Sequence, residues 1–251
     1  MKRLLFLTIF MACLMGSSLM GQEAEETANK PLSVNVDLMS RYVWRGTDYG
    51  ASPSIQPGIS YSLKGFTIGT WGAFTTNNPG VQEVDLYLSY TFLKEMISVT
   101  ITDYYFPDEV APGFNYFHYR DSIGHVFEAM LSFNGTEKIP LTFLIATNFY
   151  GADAKCCNSD GSTSDKIQYS TYAELGYTYK NINAFIGFNL TNPDTDKGEI
   201  GYYGSKMGVI NLGITGSKDI KITDKFSLPV SVSLITNPQA EKVYLVAGIS
   251  L

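Results

Sequence analysis

Beyond residue 31 the chain alternates apolar and polar positions with a period of two, in about twelve short segments. The pattern predicts strands over Leu32–Arg45, Ser54–Leu63, Phe66–Phe74, Val81–Phe92, Ile97–Tyr105 and His125–Phe133. It predicts six more over Leu141–Phe149, Ser170–Tyr179, Ile182–Leu190, Lys206–Thr215, Leu228–Thr236 and Val243–Leu251. Val84, Leu86, Leu88, Tyr90 and Phe92 fall on one face of a strand, and Glu83, Asp85, Tyr87, Ser89 and Thr91 on the other. Ala173, Leu175, Tyr177 and Tyr179 likewise oppose Tyr172, Glu174, Gly176 and Thr178. Successive side chains of a strand point to opposite faces, so a slip of one residue would exchange the two sets. Most segments hold the roughly nine to eleven residues of a tilted membrane strand, and none beyond the first residues approaches the ~20 apolar residues of a spanning helix. Lipid supplies no hydrogen bonds to a backbone, so strands can cross it only as a closed barrel.

The connections and the aromatic residues sharpen that reading. Lys64-Gly65, Lys180-Asn181 and Leu93 to Met96 are short and fall on one side, whereas Phe106 to Gly124, Tyr150 to Tyr169 and Thr191 to Ser205 are long and fall on the other. Short periplasmic turns and long external loops are the habit of outer-membrane barrels. The stretch Gly216 to Ser227 is an exception, long on the short side. Tyr42, Trp44, Tyr104, Tyr105, Phe149 and Tyr150 lie where strands would end outside, and Tyr61, Tyr90, Phe92, Tyr177 and Tyr179 where they would end in the periplasm. Rings at both ends suit a membrane interface, where one edge is apolar and the other wet. Asn78-Pro79, Asn192-Pro193 and Asn237-Pro238 mark loops, because proline cannot donate to a ladder.

The resulting expectation is an all-β fold: a transmembrane antiparallel up-and-down barrel of about twelve strands, with ten or fourteen as the alternatives, over residues 31–251. Residues 1–21 have the form of a signal peptide, with Lys2 and Arg3, the apolar run Leu4 to Leu14, and Gly16-Ser17-Ser18. Residues 22–30 form a polar periplasmic lead-in. Cleavage before Gln22 fits best, cleavage after Ser18 is an alternative, and a lipoprotein reading of Cys13 fits its flanks poorly. Lys2 and Arg3 are the only charges removed, so the 18 Lys and Arg fall to 16 against 24 Asp and Glu, a net charge near −8. This argues against nucleic acid, which needs a basic footprint, and against a strongly basic pore. The mean hydropathy near zero is what a barrel gives when apolar exterior and polar interior cancel. Cys156 and Cys157 alone survive removal of the signal; their α-carbons lie about 3.8 Å apart, shorter than usual for a disulfide. A vicinal bridge and two thiols both stay open.

Ser40-Arg41-Tyr42-Val43-Trp44-Arg45-Gly46 near the start, Ser227-Leu228-Pro229-Val230, Asn237-Pro238 and the final strand Val243 to Leu251 together resemble a family of uncharacterised Gram-negative outer-membrane β-barrel proteins. The resemblance spans nearly the whole mature chain and implies an outer-membrane barrel without an assigned activity. Such barrels usually finish on an aromatic residue that the assembly machinery reads. Here Leu251 stands last, on the alternation Val243, Leu245, Ala247, Ile249.

Candidate chemistry gathers on the inward faces. Asn35, Asp37, Arg41 and Arg45 share one face of the first strand, and Glu83, Asp85, Glu128 and Glu174 come from others. Two arginines among five carboxylates read either as a charged constriction that selects solutes or as a paired polar network that fills a narrow lumen. Both readings bring Arg41 or Arg45 near Glu83, Asp85 or Glu128. His118 and His125 bracket Tyr119-Arg120-Asp121-Ser122-Ile123-Gly124, which invites a lipid hydrolase. No Ser stands two residues from either His, the spacing such a hydrolase places on one strand face. The loop around Asn158, Asp160 and Asp165 lacks the spacing and the closing Glu of a calcium loop. No catalytic residue, metal site or cofactor is assigned. The leading reading is a passive small-solute pore or a structural surface barrel in the cell outer membrane. Its partners would be outer-membrane lipid and lipopolysaccharide, the barrel-assembly machinery and small solutes. An outer-membrane lipid enzyme and a soluble secreted lipid-binding barrel are the alternatives.

Overall fold

The computed structural model describes residues 31–77, 80–107, 115–119, 124–155 and 166–251. The expected signal peptide and lead-in, Asn78-Pro79, Arg120 to Ile123 and Cys156 to Asp165 lie outside the described residues. Twelve strands close into one antiparallel barrel: β1 (Leu32–Met39), β4 (Ser54–Leu63), β5 (Phe66–Thr75), β6 (Gln82–Phe92), β7 (Ile97–Tyr105), β8 (His125–Phe133), β9 (Leu141–Gly151), β10 (Thr171–Tyr179), β11 (Ile182–Asn189), β12 (Gly208–Lys221), β13 (Ser227–Asn237) and β14 (Lys242–Ser250). Each pairs with its sequence neighbour, and β14 pairs with β1 to close the ring. β2 (Tyr42–Trp44) and β3 (Thr47–Tyr49) stand apart as a two-stranded hairpin.

The closing seam is short. Asp37, Leu38 and Met39 face Ser250, Ile249 and Gly248, and Val36 and Leu251 exchange backbone hydrogen bonds of 3.1 and 3.0 Å. On its other edge β1 pairs along its full length with β4, from Leu32 opposite Tyr61 to Met39 opposite Ser54. Lys64 and Gly65 join β4 to β5 with φ of +52° and +86°, the two positive values of a type I′ hairpin turn.

The alternation sorts the side chains as a barrel in lipid requires. Val34, Ile59, Ile68, Leu88, Leu131 and Leu245 are exposed on the outer wall. Glu83, Asp85, Ser89, Thr100, Glu128, Ser132, Thr215 and Ser233 are buried on the inner one. Tyr61, Tyr90, Tyr177 and Tyr179 ring one end, exposed, with Phe66 and Tyr90 packed at 4.4 Å between centroids. An apolar wall around a polar interior is the reverse of a soluble lipid-carrying barrel.

Three expectations change. The first strand stops at Met39 rather than Arg45, because the chain turns into the lumen at Ser40. Tyr42 and Trp44 therefore leave the outer aromatic belt: Tyr42 is buried and Trp44 half-buried inside. Tyr104 is buried on the inward face of β7, and Tyr105, although outward, is covered by Tyr116 and His125 at 5.2 and 4.6 Å. The supposed long connection Gly216 to Ser227 is mostly strand. β12 and β13 run on together to Lys221 and Ser227, leaving a turn over Ile222 to Phe226, so the short side has no exception.

Leu88→Arg, at the middle of the outer wall, should destabilise the barrel folded in vesicles by about 2–4 kcal/mol. Thr67→Arg, on the inner face of the neighbouring strand, should cost distinctly less. Equilibrium unfolding in guanidinium chloride compares the two.

Candidate functional site

Ser40 sets the inward turn. Its backbone N–H donates to Ala247 O and its hydroxyl accepts from the Ala247 N–H, both at 2.8 Å. β2 and β3 then pair around the two-residue loop Arg45-Gly46, closed by Trp44 opposite Thr47. Arg45 has φ +48° and Gly46 φ +79°, again a type I′ turn. Glycine adopts this freely, whereas a side chain there costs roughly 1–2 kcal/mol. Arg41 sits at the hairpin's open end, Nη1 at 2.7 Å from Asp48 Oδ2, with its side chain 41% exposed. The Asp48 side chain is only 9% exposed, so the pair is screened by water at its Arg41 end alone.

The hairpin crosses the lumen on its long-loop side and packs there. Tyr42 lies against Trp71 and Tyr49 at 5.5 and 5.3 Å and donates its hydroxyl to Glu83 Oε2 at 2.6 Å. Trp44 meets Tyr104 edge-on at 5.5 Å and Tyr203 at 6.0 Å. At the tip, the Gly46 carbonyl accepts from Asn237 Nδ2 at 3.1 Å. A β-carbon on Gly46 would stand 2.0 Å from Ile210 O, so only glycine fits.

Arg45 ends in a closed polar and aromatic box. Its guanidinium grips both oxygens of Glu128, Nη1 on Oε2 and Nη2 on Oε1 at 3.0 Å. Nη1 also donates to the Tyr203 hydroxyl at 2.6 Å, which in turn donates to Glu128 Oε2 at 2.8 Å. Tyr104 donates to Glu128 Oε1 at 3.0 Å. The guanidinium carbon lies 4.3, 4.5 and 5.3 Å from the ring centres of Trp44, Tyr172 and Tyr203. The Arg45 and Glu128 side chains are 8% and 1% exposed, so the charges meet out of water. Beside the box, Glu174 accepts from Tyr172 and, at 3.0 Å, from Asn211 Nδ2.

Two β-bulges seat this arrangement. Phe127 faces Tyr150 but Glu128 faces Asn148, so Phe149 is the extra residue of β9. Gly187 faces Asn211 but Phe188 faces Val209, so Ile210 is the extra residue of β12. Bulges bend a strand and re-aim its side chains. Ile210, fully buried, joins Met130, Leu144, Ala146, Tyr172 and Tyr203 in a cluster under the hairpin tip.

Asp37, Glu83, Asp85, Glu128 and Glu174 all face the lumen on barrel strands, while Arg41 and Arg45 do not belong to the inward face of the first strand as expected. Both ride on the hairpin, which brings Arg45 to Glu128 and leaves Arg41 on Asp48. Asn35 lies over Gly58, where a β-carbon would be 2.6 Å from Asn35 Oδ1. Asp85 stands opposite Trp71 in register, and Asp85 Oδ1 and Trp71 Nε1 have no protein partner among the described residues. Tyr172 was read on the inward face with Glu174 but not as part of a site, Tyr104 was assigned to the outer belt, and Trp71 and Tyr203 were not singled out. Inward alternation could have found Trp71 and Tyr104, whereas Tyr203 comes from the connection between β11 and β12 and carries no local signal.

His125 faces outward near the long-loop rim and is buried there. Its Nδ1 is 2.8 Å from Asp103 Oδ1 and its Nε2 2.8 Å from the carbonyl of Tyr116. Both ring nitrogens are thus engaged, Nε2 by a backbone oxygen where a hydrolase would present a nucleophile.

A family model described as a bacterial protein of unknown function, Gcw_chp, matches residues 23–213. No curated protein matches the chain. Among solved structures, the NanC porin is similar at 9% identity and TM-score 0.47, covering 87% of this chain and 98% of its own. A point-mutant porin of Rh. blastica is similar at 11% and 0.39, covering 91% and 80%. The outer membrane protein OprD from Pseudomonas aeruginosa is similar at 12% and 0.33, covering 94% and 69%.

Removing one member of the buried pair leaves the other charge unmatched, which costs about 3–5 kcal/mol. Arg45→Met and Glu128→Leu should each destabilise the barrel by that order. The double variant should lose much less than the sum, and a double-mutant cycle of unfolding free energies reads the difference.

Proposed function

The chain belongs to the Gcw_chp family of bacterial proteins of unknown function, and we propose that it is an outer-membrane pore for small polar solutes, narrowed by its own β2–β3 hairpin. One observation carries this reading. A closed barrel with an apolar wall holds a polar interior that runs from the hydroxyls of Ser89, Thr100, Ser132, Thr215 and Ser233 to the carboxylates of Asp37, Glu83, Asp85, Glu128 and Glu174. The aromatic ring at the short-turn end and the long connections at the other support an outer-membrane setting with both chain ends in the periplasm.

The lumen charge sets the expected preference. Five inward carboxylates, of which Glu128 pairs with Arg45, outnumber that one buried guanidinium, and rings of Asp and Glu favour cations. Glu83 and Asp85, two residues apart on one face, line the wall beside the hairpin and would meet a solute passing it. Outer-membrane lipid and lipopolysaccharide would surround the wall, and the barrel-assembly machinery would place it there.

A second reading, a structural surface barrel, draws on the packed external half. Tyr42, Trp71 and Ala73 form one buried cluster and Ile210, Tyr172 and Tyr203 part of another.

Single-channel recording in planar bilayers separates the two. The full chain should give small, cation-preferring steps, and replacing residues 41–50 with a short Gly-Ser linker should enlarge them at least twofold. Glu83→Gln with Asp85→Asn should lower the cation preference. Silence from both the full chain and the hairpin-less variant would discard the pore and leave the structural barrel.

A further inference from the structure

The box around Arg45 has every feature of a receptor for a guanidinium ion. Glu128 offers both oxygens side by side, the planar match that a guanidinium fork makes and an ammonium cannot. Tyr172 and Tyr203 present ring faces, and the hydroxyls of Tyr104 and Tyr203 hold the carboxylate in place. Everything but Trp44 comes from the wall or from the β11–β12 connection. The receptor therefore does not depend on the hairpin that fills it.

The way it is filled is informative. Arg45 sits at a turn position where Asn or Gly is the relaxed choice, with φ +48°. A strained backbone held at a site points to a task for that side chain. The hairpin that delivers it pairs only with itself, so its withdrawal breaks no barrel ladder. Its open end is tied by the part-buried Arg41–Asp48 bridge. Its removal would uncover Glu83, whose Oε2 holds the Tyr42 hydroxyl at 2.6 Å. Next to Glu83, Asp85 Oδ1 and Trp71 Nε1 already have no protein partner among the described residues.

We propose that Glu128, Tyr104, Tyr172 and Tyr203 form a guanidinium-recognition site that Arg45 occupies in the closed barrel, and that a small solute bearing a guanidinium group displaces Arg45 and releases the hairpin. This rests on the pore reading and names the solute class that the pore takes. Arg45 is a tethered stand-in for that solute. A short tether gives its group an effective concentration in the millimolar range, so the solute must exceed that or add contacts at Glu83 and Asp85.

The chain has two tryptophans, Trp44 and Trp71. Trp44 belongs to the hairpin and Trp71 packs on Tyr42, so tryptophan emission, excited selectively over tyrosine, reads the hairpin and its seat. Methylguanidinium is titrated into the detergent-folded full chain, with methylammonium and urea as controls. A saturable red shift with methylguanidinium only is expected, as Trp44 leaves Tyr104 and Tyr203. Arg45→Ala should respond at a concentration at least tenfold lower, because the tethered competitor is gone. Arg45→Lys, which keeps the charge but loses the fork, should fall between and serves if the alanine variant fails to fold. A full chain that stays unshifted at a hundredfold the concentration saturating either variant would overturn the release. Variants that do not respond, or an equal response to methylammonium, would overturn the site. The optical signal does not depend on conduction. A shift without current in bilayers would count against the pore alone, and current indifferent to methylguanidinium, without a shift, against this proposal alone.

Discussion

A backbone in lipid has no water to bond to, so every strand of the wall must find a partner on both edges. The structure meets that demand most narrowly where it closes. β1 and β14 share only the stretch from Val36 to Ser40 with Ala247 to Leu251, and the outer faces there are Leu38 and Ile249. The last link of the seam is Ser40, whose backbone and hydroxyl both serve Ala247, and the next residues dive inward. Closure and plug thus share one junction. The hairpin carries the end of β1 across the lumen to β8 through Glu128, to β12 through Ile210 and to β13 through Asn237. A short seam gains three remote anchors.

Arg45–Glu128 is the strongest of these anchors, and its value lies in specificity more than in net stability. Burying two charges costs several kcal/mol each, and their attraction returns that only when geometry and remaining hydrogen bonds are complete. Here they are: both carboxylate oxygens accept twice, from the guanidinium and from a tyrosine hydroxyl. An apolar tip could pack against Ile210 in several ways. A fork on a carboxylate fixes one. The bulges at Phe149 and Ile210 belong to the same constraint, because regular ladders would aim the neighbouring side chains elsewhere.

Much of the wall was legible in the sequence, and the reason is that lipid enforces it. Wherever a strand crosses the apolar layer, one face must be apolar. Val84 to Phe92 and Ala173 to Tyr179 could not be read in another register without placing Glu83 or Glu174 in hydrocarbon. The errors fall where that enforcement ends. Gly216 to Lys221 is strand paired with β13, and because Ser217, Lys218, Asp219 and Lys221 put polar residues on both faces it looked like loop. Tyr42, Val43, Trp44 and Arg45 keep the period of two, but a hairpin inside a lumen has the same period as a wall strand. Arg45-Gly46 was the available sign of a turn, weakened because arginine seldom takes a positive φ. Tyr203 was invisible, since the contact with Glu128 spans 75 residues and a connection has no periodicity to betray it.

The width of the barrel explains why a plug exists at all. About eight strands enclose a space that side chains alone can fill, and twelve enclose more. On the short-turn side the inner wall carries buried hydroxyl side chains such as Ser89, Ser98, Thr100, Ser132 and Ser233. On the long-loop side a separate piece of chain is folded into the lumen. The lumen is crossed there by β2 and β3, which among the described residues share no strand ladder with the wall. Moving the hairpin would break no wall ladder but would cost the Arg45–Glu128 pair, the Tyr42–Glu83 and Asn237–Gly46 hydrogen bonds and the ring packing of Tyr42 and Trp44, so the filling of this lumen and the box that holds Arg45 are the same physical object.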